Sequence, residues 1–112
     1  MVGRMAPLVV RQYDICRNPD RASRSHVPYF VVLQGDLLSA LATVIVAPVM
    51  PKRATDVIGR LNPVVELDGR SYYVTMQEMA GIPRNRLGPA VANLAGRHPD
   101  FVAAIDLIFT GI

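Results

Sequence analysis

The side chains able to do chemistry in this chain are few and scattered. His26 and His98 are its two histidines, and Cys16 is its one cysteine. Both histidines sit in proline-flanked, loop-like stretches far apart in sequence. A zinc centre takes four ligands at recognisable spacings, and nothing around His26, His98 or Cys16 has such spacing. Cys16 has no local histidine to take its proton, which predicts a quiet thiol and not a nucleophile. Gly69, Gly81 and Gly88 match no phosphate-cradling loop. Asp36, after Gly35, reads as a turn carboxylate. Arg17, Arg21 and Arg24 form a loose basic group, suited to phosphate contacts or simply to solvation. Met76 and Met79, near Tyr72 and Tyr73, read as core packing. No nucleophile, base and orienting acid come together. The sequence therefore predicts no catalytic set, no metal site and no cofactor.

The rest of the chain must position whatever surface does the work. Its 112 residues suffice for one small domain, and 51% of them are apolar. A single cysteine excludes an internal disulfide. Nine prolines and eight glycines favour a loop-rich β protein over a helix bundle. Residues 1–60 hold eight basic and four acidic side chains, and residues 61–112 hold four and five. The net charge of +3 thus sits in the first half, without a run dense enough for a nucleic-acid arm. The stretch Leu37–Met50 is apolar, but Ser39, Thr43 and Pro48 interrupt it and it is shorter than a bilayer span. The first ten residues lack the apolar run of a signal peptide. The expected location is cytoplasmic, with no membrane partner.

Alternation predicts a half-buried strand over Gln12–Arg17, with Tyr13 and Ile15 inward and Gln12, Asp14 and Cys16 outward. Asn18-Pro19-Asp20 ends it, and a polar loop runs to about His26. Tyr29–Leu33 and Thr43–Met50 are apolar, β-branched strands, with Leu37–Leu41 a short connector. Pro48 demands an edge or a bulge. Pro51–Asn62 reads as a loop or one turn of helix. Val64–Leu67 and Ser71–Thr75 flank Asp68-Gly69, the pair a two-residue type I′ hairpin requires. Met76–Ile82 reads as a turn or short strand closed by Gly81 and Pro83. Pro99 and Asp100 open a helix. Phe101, Ile105 and Ile108 form its apolar face, flanked by Val102, Ala104 and Phe109. Ala103, Asp106, Leu107 and Thr110 face away, and Gly111 ends it. An earlier helix start, near Leu87–Asn93, is the weaker reading because Gly96 and Pro99 interrupt it. The architecture is mainly β: four or five strands in a small barrel or curled antiparallel sheet, crossed by a C-terminal α-helix. Ile112, apolar and next to Gly111, reads either as folded back onto the core or as part of a binding tip.

The order and spacing of several strings resemble the CcdB family, the gyrase-directed toxins of plasmid-type toxin–antitoxin pairs. These strings are Gln12-Tyr13-Asp14-Ile15, Arg17-Asn18-Pro19, Val27-Pro28-Tyr29, Gln34-Gly35-Asp36-Leu37-Leu38, Leu61-Asn62-Pro63-Val64-Val65, Met79-Ala80-Gly81-Ile82-Pro83 and Leu107-Ile108-Phe109-Thr110-Gly111-Ile112. The resemblance covers residues 12–112, leaving residues 1–11 as an N-terminal extension. It implies an SH3-like barrel with a C-terminal helix, acting as a homodimer. It implies no enzyme activity but binding to the DNA gyrase A subunit, trapping gyrase on cleaved DNA. A CcdA-like antitoxin would neutralise the toxin, and the toxin–antitoxin complex would bind operator DNA and repress its own operon. The family's gyrase contact maps onto Leu37 and Leu38 in the turn, and onto Asp106, Phe109, Thr110, Gly111 and Ile112 at the helix end.

Two positions depart from the family pattern, which has Trp at Thr110 and Asn at Asp106. Losing such an aromatic anchor costs ~2–4 kcal/mol of binding, so a weakened toxin is expected. Two alternatives stand beside it. Ribonuclease toxins of the MazF and Kid type share the barrel, although their strand-one motif, glycine–aspartate and then arginine–proline, is absent here. A non-toxic diverged regulator is the other.

Overall fold

The Asp68-Gly69 hairpin forms as its residue pair requires. In a computed structural model of the chain, which describes residues 10–52 and 59–111, Asp68 and Gly69 have φ of 53° and 77°. They join β4 (Val64–Leu67) to β5 (Arg70–Val74), with Leu67 opposite Arg70. The remaining strands are β1 (Asp14–Arg17), β2 (Tyr29–Val32), β3 (Thr43–Pro51), β6 (Ala80–Pro83) and β7 (Ala90–Asn93). All pairings are antiparallel, in the order β4-β5-β3-β2-β1-β7, and β6 pairs with β3 off this path. Helix α1 (His98–Thr110) closes the chain. The result is the expected mainly β curled sheet with one C-terminal helix.

Among the described residues the sheet has seven strands, not four or five. Much of the difference lies in β6 and β7. Gly81 and Pro83 do not close β6 but belong to it, opposite Ile45 and Thr43. β7 occupies the stretch read as a weak early helix. Its approach is fixed by Gly88 and Pro89: the Gly88 N–H donates to the Arg17 carbonyl at 2.8 Å, and the Arg17 N–H donates to the Pro89 carbonyl at 3.0 Å. This knits the chain to β1 where a helix would have turned inward on itself.

Pro48 sits in the middle of the central strand, not at an edge or bulge. The reason is a change of partner. β6 pairs with β3 over Thr43–Val46, and β5 takes over from Val49. Pro48 accepts from the Thr75 N–H at 2.9 Å on that same side. The N–H that Pro48 lacks would face the Thr75 carbonyl, which accepts from the Glu78 N–H at 3.1 Å instead, so no carbonyl is stranded where β5 leaves the ladder.

The core lies on both faces of the curled sheet. Ile15, Val31, Ala47, Val49, Val65, Val74 and Met76 pack with Phe101 and Ala104 under the helix. Cys16, Val32, Val44 and Val46 form a second cluster on the opposite face, with Val10, Phe30, Ile82 and Leu87 against it. Neighbours such as Ile15 and Cys16 point to opposite faces and both are buried. The half-buried reading of β1 is thus corrected: curling covers the Cys16 face too. The thiol pKa rises to about 11 through burial and, secondarily, the Asp14 charge.

Helix α1 turns Phe101 and Ala104 fully inward, and Ile105 and Ile108 pack beside them. Val102 and Phe109 are exposed, correcting their flanking role. At about 100° per residue, Ala104, Ile108, Phe101 and Ile105 span one narrow arc. Phe109 lies about 80° from Phe101, past the edge of that arc and in the last turn. The helix start is tied to β4 by Arg97, which donates to Asp100 at 2.6 Å and to the Val64 carbonyl at 2.8 Å.

Candidate interaction surface

Two buried asparagines, each followed by proline, pin two of the irregular segments of the fold. Asn18 donates to the Val27 carbonyl at 2.8 Å and to the Ser23 hydroxyl at 2.9 Å, closing the loop between β1 and β2. Asn62 donates to the Val74 carbonyl at 3.0 Å and to Gln77 at 2.8 Å, holding the approach to β4 beneath the helix. Their side chains replace backbone partners that irregular segments lack. The repeated Asn-Pro is visible in the sequence, but nothing local to it marks a loop pin.

The first surface is the turn between β2 and β3. Asp36–Leu38 form one turn of 3-10 helix, and Leu37 is 100% exposed. Leu38 and Leu41 are half-exposed beside it, and Ile45 is exposed on the adjoining strand. Leu41 and Ile45 thus extend the surface beyond the two leucines expected there; an apolar run at a loop is the signal that marks them. Asp36 is a turn residue, as expected: its carboxylate accepts the Gln12 N–H at 2.7 Å and lies 3.9 Å from Arg11.

The second surface is the end of α1. Gly111 adopts φ 75° and donates its N–H to the Leu107 carbonyl at 3.1 Å, a left-handed helix stop. Thr110 faces out and turns its hydroxyl back onto the Asp106 carbonyl at 2.6 Å. Asp106 is exposed on the same side, and Phe109 is 69% exposed. Ile112 lies outside the described residues. Asp106, Phe109, Thr110 and Gly111 are thus brought together, and so are Leu37 and Leu38. Among the described residues no hydrogen bond, ion pair or ring contact joins the two groups.

The other side chains with chemical potential are occupied in packing or stand apart. Tyr13 is buried, stacks on Phe101 at 4.9 Å and hydrogen-bonds His98 Nδ1 through its hydroxyl at 2.5 Å. Burial raises its pKa. Its φ of 68° is the left-handed bend that turns the chain into β1. His26, Arg21 and Arg24 are exposed on the loop after β1. Arg17 lies over the Tyr29 ring at 6.0 Å. Met76 is fully buried, as expected of core. Among the described residues no group of three or more histidines, cysteines and acids could hold a metal ion. No described helix is long and apolar enough to cross a membrane.

Among the described residues, a curled antiparallel sheet with one C-terminal helix presents exposed apolar side chains on a turn and at the helix end. The sequence model of the CcdB protein family matches residues 12–111, and the chain belongs to the CcdB family. Membership places it among the toxins of toxin–antitoxin pairs. Two solved structures share the fold. One, described as an Mtb toxin, is 20% identical with a TM-score of 0.67, over 85% of this chain and 99% of that one. The other, Mycobacterium tuberculosis toxin MazF-mt6, is 22% identical with a TM-score of 0.61, over 88% of this chain and 96% of that one.

Proposed function

We propose that this toxin acts by binding the DNA gyrase A subunit and trapping gyrase on cleaved DNA, with the end of α1 and the Leu37–Leu38 turn as its contacts. The observation that carries the reading is Phe109, a large aromatic left 69% exposed at the tip of the helix in a member of this family. Such a residue costs hydration free energy in the free protein and recovers it in a partner's pocket. The toxin domain is residues 12–112, and residues 1–11 are an extension of it. The working form is a cytoplasmic homodimer. A CcdA-like antitoxin neutralises it, and operator DNA is bound only by the toxin–antitoxin complex.

Thr110 weakens the gyrase contact, because a threonine offers little apolar area where the family presents tryptophan. Asp106 adds charge to the same face. The test is a gyrase cleavage-trapping assay with the native chain and with Thr110→Trp. Weak trapping is expected from the native chain. The tryptophan should restore ~2–4 kcal/mol of binding, about 30-fold to several hundred-fold in affinity. Absence of trapping by both chains would overturn the reading.

The structural likeness to MazF-mt6 favours a second reading, RNA cleavage without gyrase, with Arg17, Arg21 and Arg24 on the phosphates. Incubating purified protein with RNA decides between them. Specific cleavage that Arg24→Ala abolishes would replace the gyrase mechanism.

A further inference from the structure

The turn that carries Leu37 and Leu38 is braced by a residue far away in sequence. Arg84 begins the 3-10 turn (Arg84–Arg86) that follows β6. Its guanidinium donates from Nη2 to the Leu38 carbonyl at 3.0 Å and from Nε to the Leu41 carbonyl. Its backbone N–H donates to the Ala42 carbonyl at 3.0 Å. Among the described residues Arg84 makes no ion pair, so this cation is committed to carbonyls and not to an acid. A guanidinium is a rigid planar fork. Gripping two carbonyls three residues apart fixes the shape of the segment between them.

The turn has little else to hold its far side. Its own bonds are local, from Leu38 to Gly35, Ser39 to Asp36 and Leu41 to Leu38, each at 3.1 Å. Leu37 is 100% exposed and contributes no apolar burial, and Leu38 and Leu41, each 49% exposed, contribute about half of theirs. A segment with few buried contacts opens readily unless bonds from outside restrain it. Asp36 restrains the near side through Gln12, and Gln34 reaches the Leu38 carbonyl at 3.3 Å. Among the described residues, only Arg84 grips both Leu38 and Leu41 from outside the turn.

We propose that Arg84 is a positioning residue for partner binding. By clamping the Leu38 and Leu41 carbonyls, it holds Leu37 and Leu38 in the shape an apolar pocket on the partner receives. This rests on the reading of the turn as part of the gyrase contact. Apparent affinity scales with the fraction of molecules already in the competent shape. If loss of the clamp reduces that fraction to about a tenth, affinity falls about tenfold with no contacting side chain changed.

The test uses Arg84→Gln, Arg84→Lys and a Leu37→Ala/Leu38→Ala double variant, all in the Thr110→Trp chain so that affinities start from a measurable value. Amide hydrogen exchange is followed in the free protein, and binding to purified gyrase A subunit is measured separately. In Arg84→Gln, protection of the Leu38, Ser39 and Leu41 amides should fall while the sheet amides keep theirs. Gyrase affinity should fall about tenfold, and Arg84→Lys should recover part of both effects. The Gln substitution should cost nothing further once the two leucines are alanine, because its effect runs through them. Unchanged exchange in the turn overturns the clamp whatever gyrase does. Loss of protection across the whole sheet assigns Arg84 to folding and overturns positioning. An additive loss in the alanine background means Arg84 touches gyrase itself and also overturns it. If the alanine variant binds gyrase undiminished, or the parent binds none, the gyrase reading of the turn fails and the binding half of the proposal with it. The exchange result still judges the clamp on its own.

Discussion

Two phenylalanines of one helix, Phe101 and Phe109, should respond in opposite ways to truncation. Phe101 has no exposed surface and stacks on Tyr13 at 4.9 Å, whereas Phe109 is 69% exposed. Removing a buried phenylalanine ring leaves a cavity and costs ~3–5 kcal/mol. For Phe101→Ala the upper half of that range is expected, because the Tyr13 ring loses its stacking partner. A fully buried phenylalanine is worth ~1.5–3 kcal/mol of transfer free energy, and Phe109 keeps only about a third of its surface from water. Its loss therefore costs less than ~1 kcal/mol, and the better helix propensity of alanine offsets part of that. Urea midpoints measured by circular dichroism give both values. Gyrase A binding should reverse the order: Phe109→Ala loses ~2 kcal/mol or more, about 30-fold in affinity, while keeping its fold. A stability loss above ~2 kcal/mol for Phe109→Ala would mean that the ring is covered in solution, and the helix-tip mechanism would fail. Full gyrase binding by a folded Phe109→Ala chain would refute it as well.

Three further outcomes follow from the packing. A Cβ at Gly88 would lie 2.7 Å from the Arg17 carbonyl oxygen, so Gly88→Ala must push β7 off β1. A loss of ~1–3 kcal/mol is expected, with raised hydrogen exchange at Arg17, and an unchanged midpoint would refute the contact. Asn62 is 1% exposed and donates to Val74 and Gln77. Asn62→Ala strands a buried carbonyl, which costs ~1–3 kcal/mol in the thermal or urea midpoint. The Cys16 pKa, raised to about 11 by burial, makes stability pH-dependent. The folded state resists losing this proton while the unfolded thiol gives it up near its ordinary value of about 8.5. The contribution is full below that value and declines as pH rises through about 11. Cys16→Ala should flatten the fall in the urea midpoint between about pH 9 and 11. Native Cys16 should also stay unreactive toward a thiol reagent at neutral pH.

Local chemistry makes some elements legible in the sequence alone. Asp68-Gly69 needs no tertiary partner to prefer positive φ, so its hairpin can be read from two letters. Gly111 ends the helix for the same reason. Elements defined by distant partners cannot be read this way. The stretch Ala90–Asn93 is a strand only because β1 lies beside it. Pro48 is tolerated in a central strand because two short partners change over at that residue. Cys16 looks solvent-facing by alternation, and only curling of the sheet supplies a second core to bury it.

The candidate surface divides along the same line. The exposed leucines are legible as an apolar run in a loop, and the outward side of the helix is legible for Asp106 and Thr110 from helical phase. Phase puts Phe109 on the flank of the buried face, because phase alone does not say how far the underlying sheet extends. Arg84 carries no signal at all, since its partners are backbone carbonyls more than forty residues away.

The sequence by itself therefore determined the class of fold, the turns at Asp68-Gly69 and Gly111, and the family to which the chain belongs. These depend on local φ preferences, on hydrophobic period and on the order of short strings along one chain. Only the tertiary structure decided which apolar residues stay in water, which turn is clamped and which thiol is sealed. Burial is a property of what covers a residue, and in a curled sheet the cover comes from elements whose distance along the chain says nothing about their distance in space.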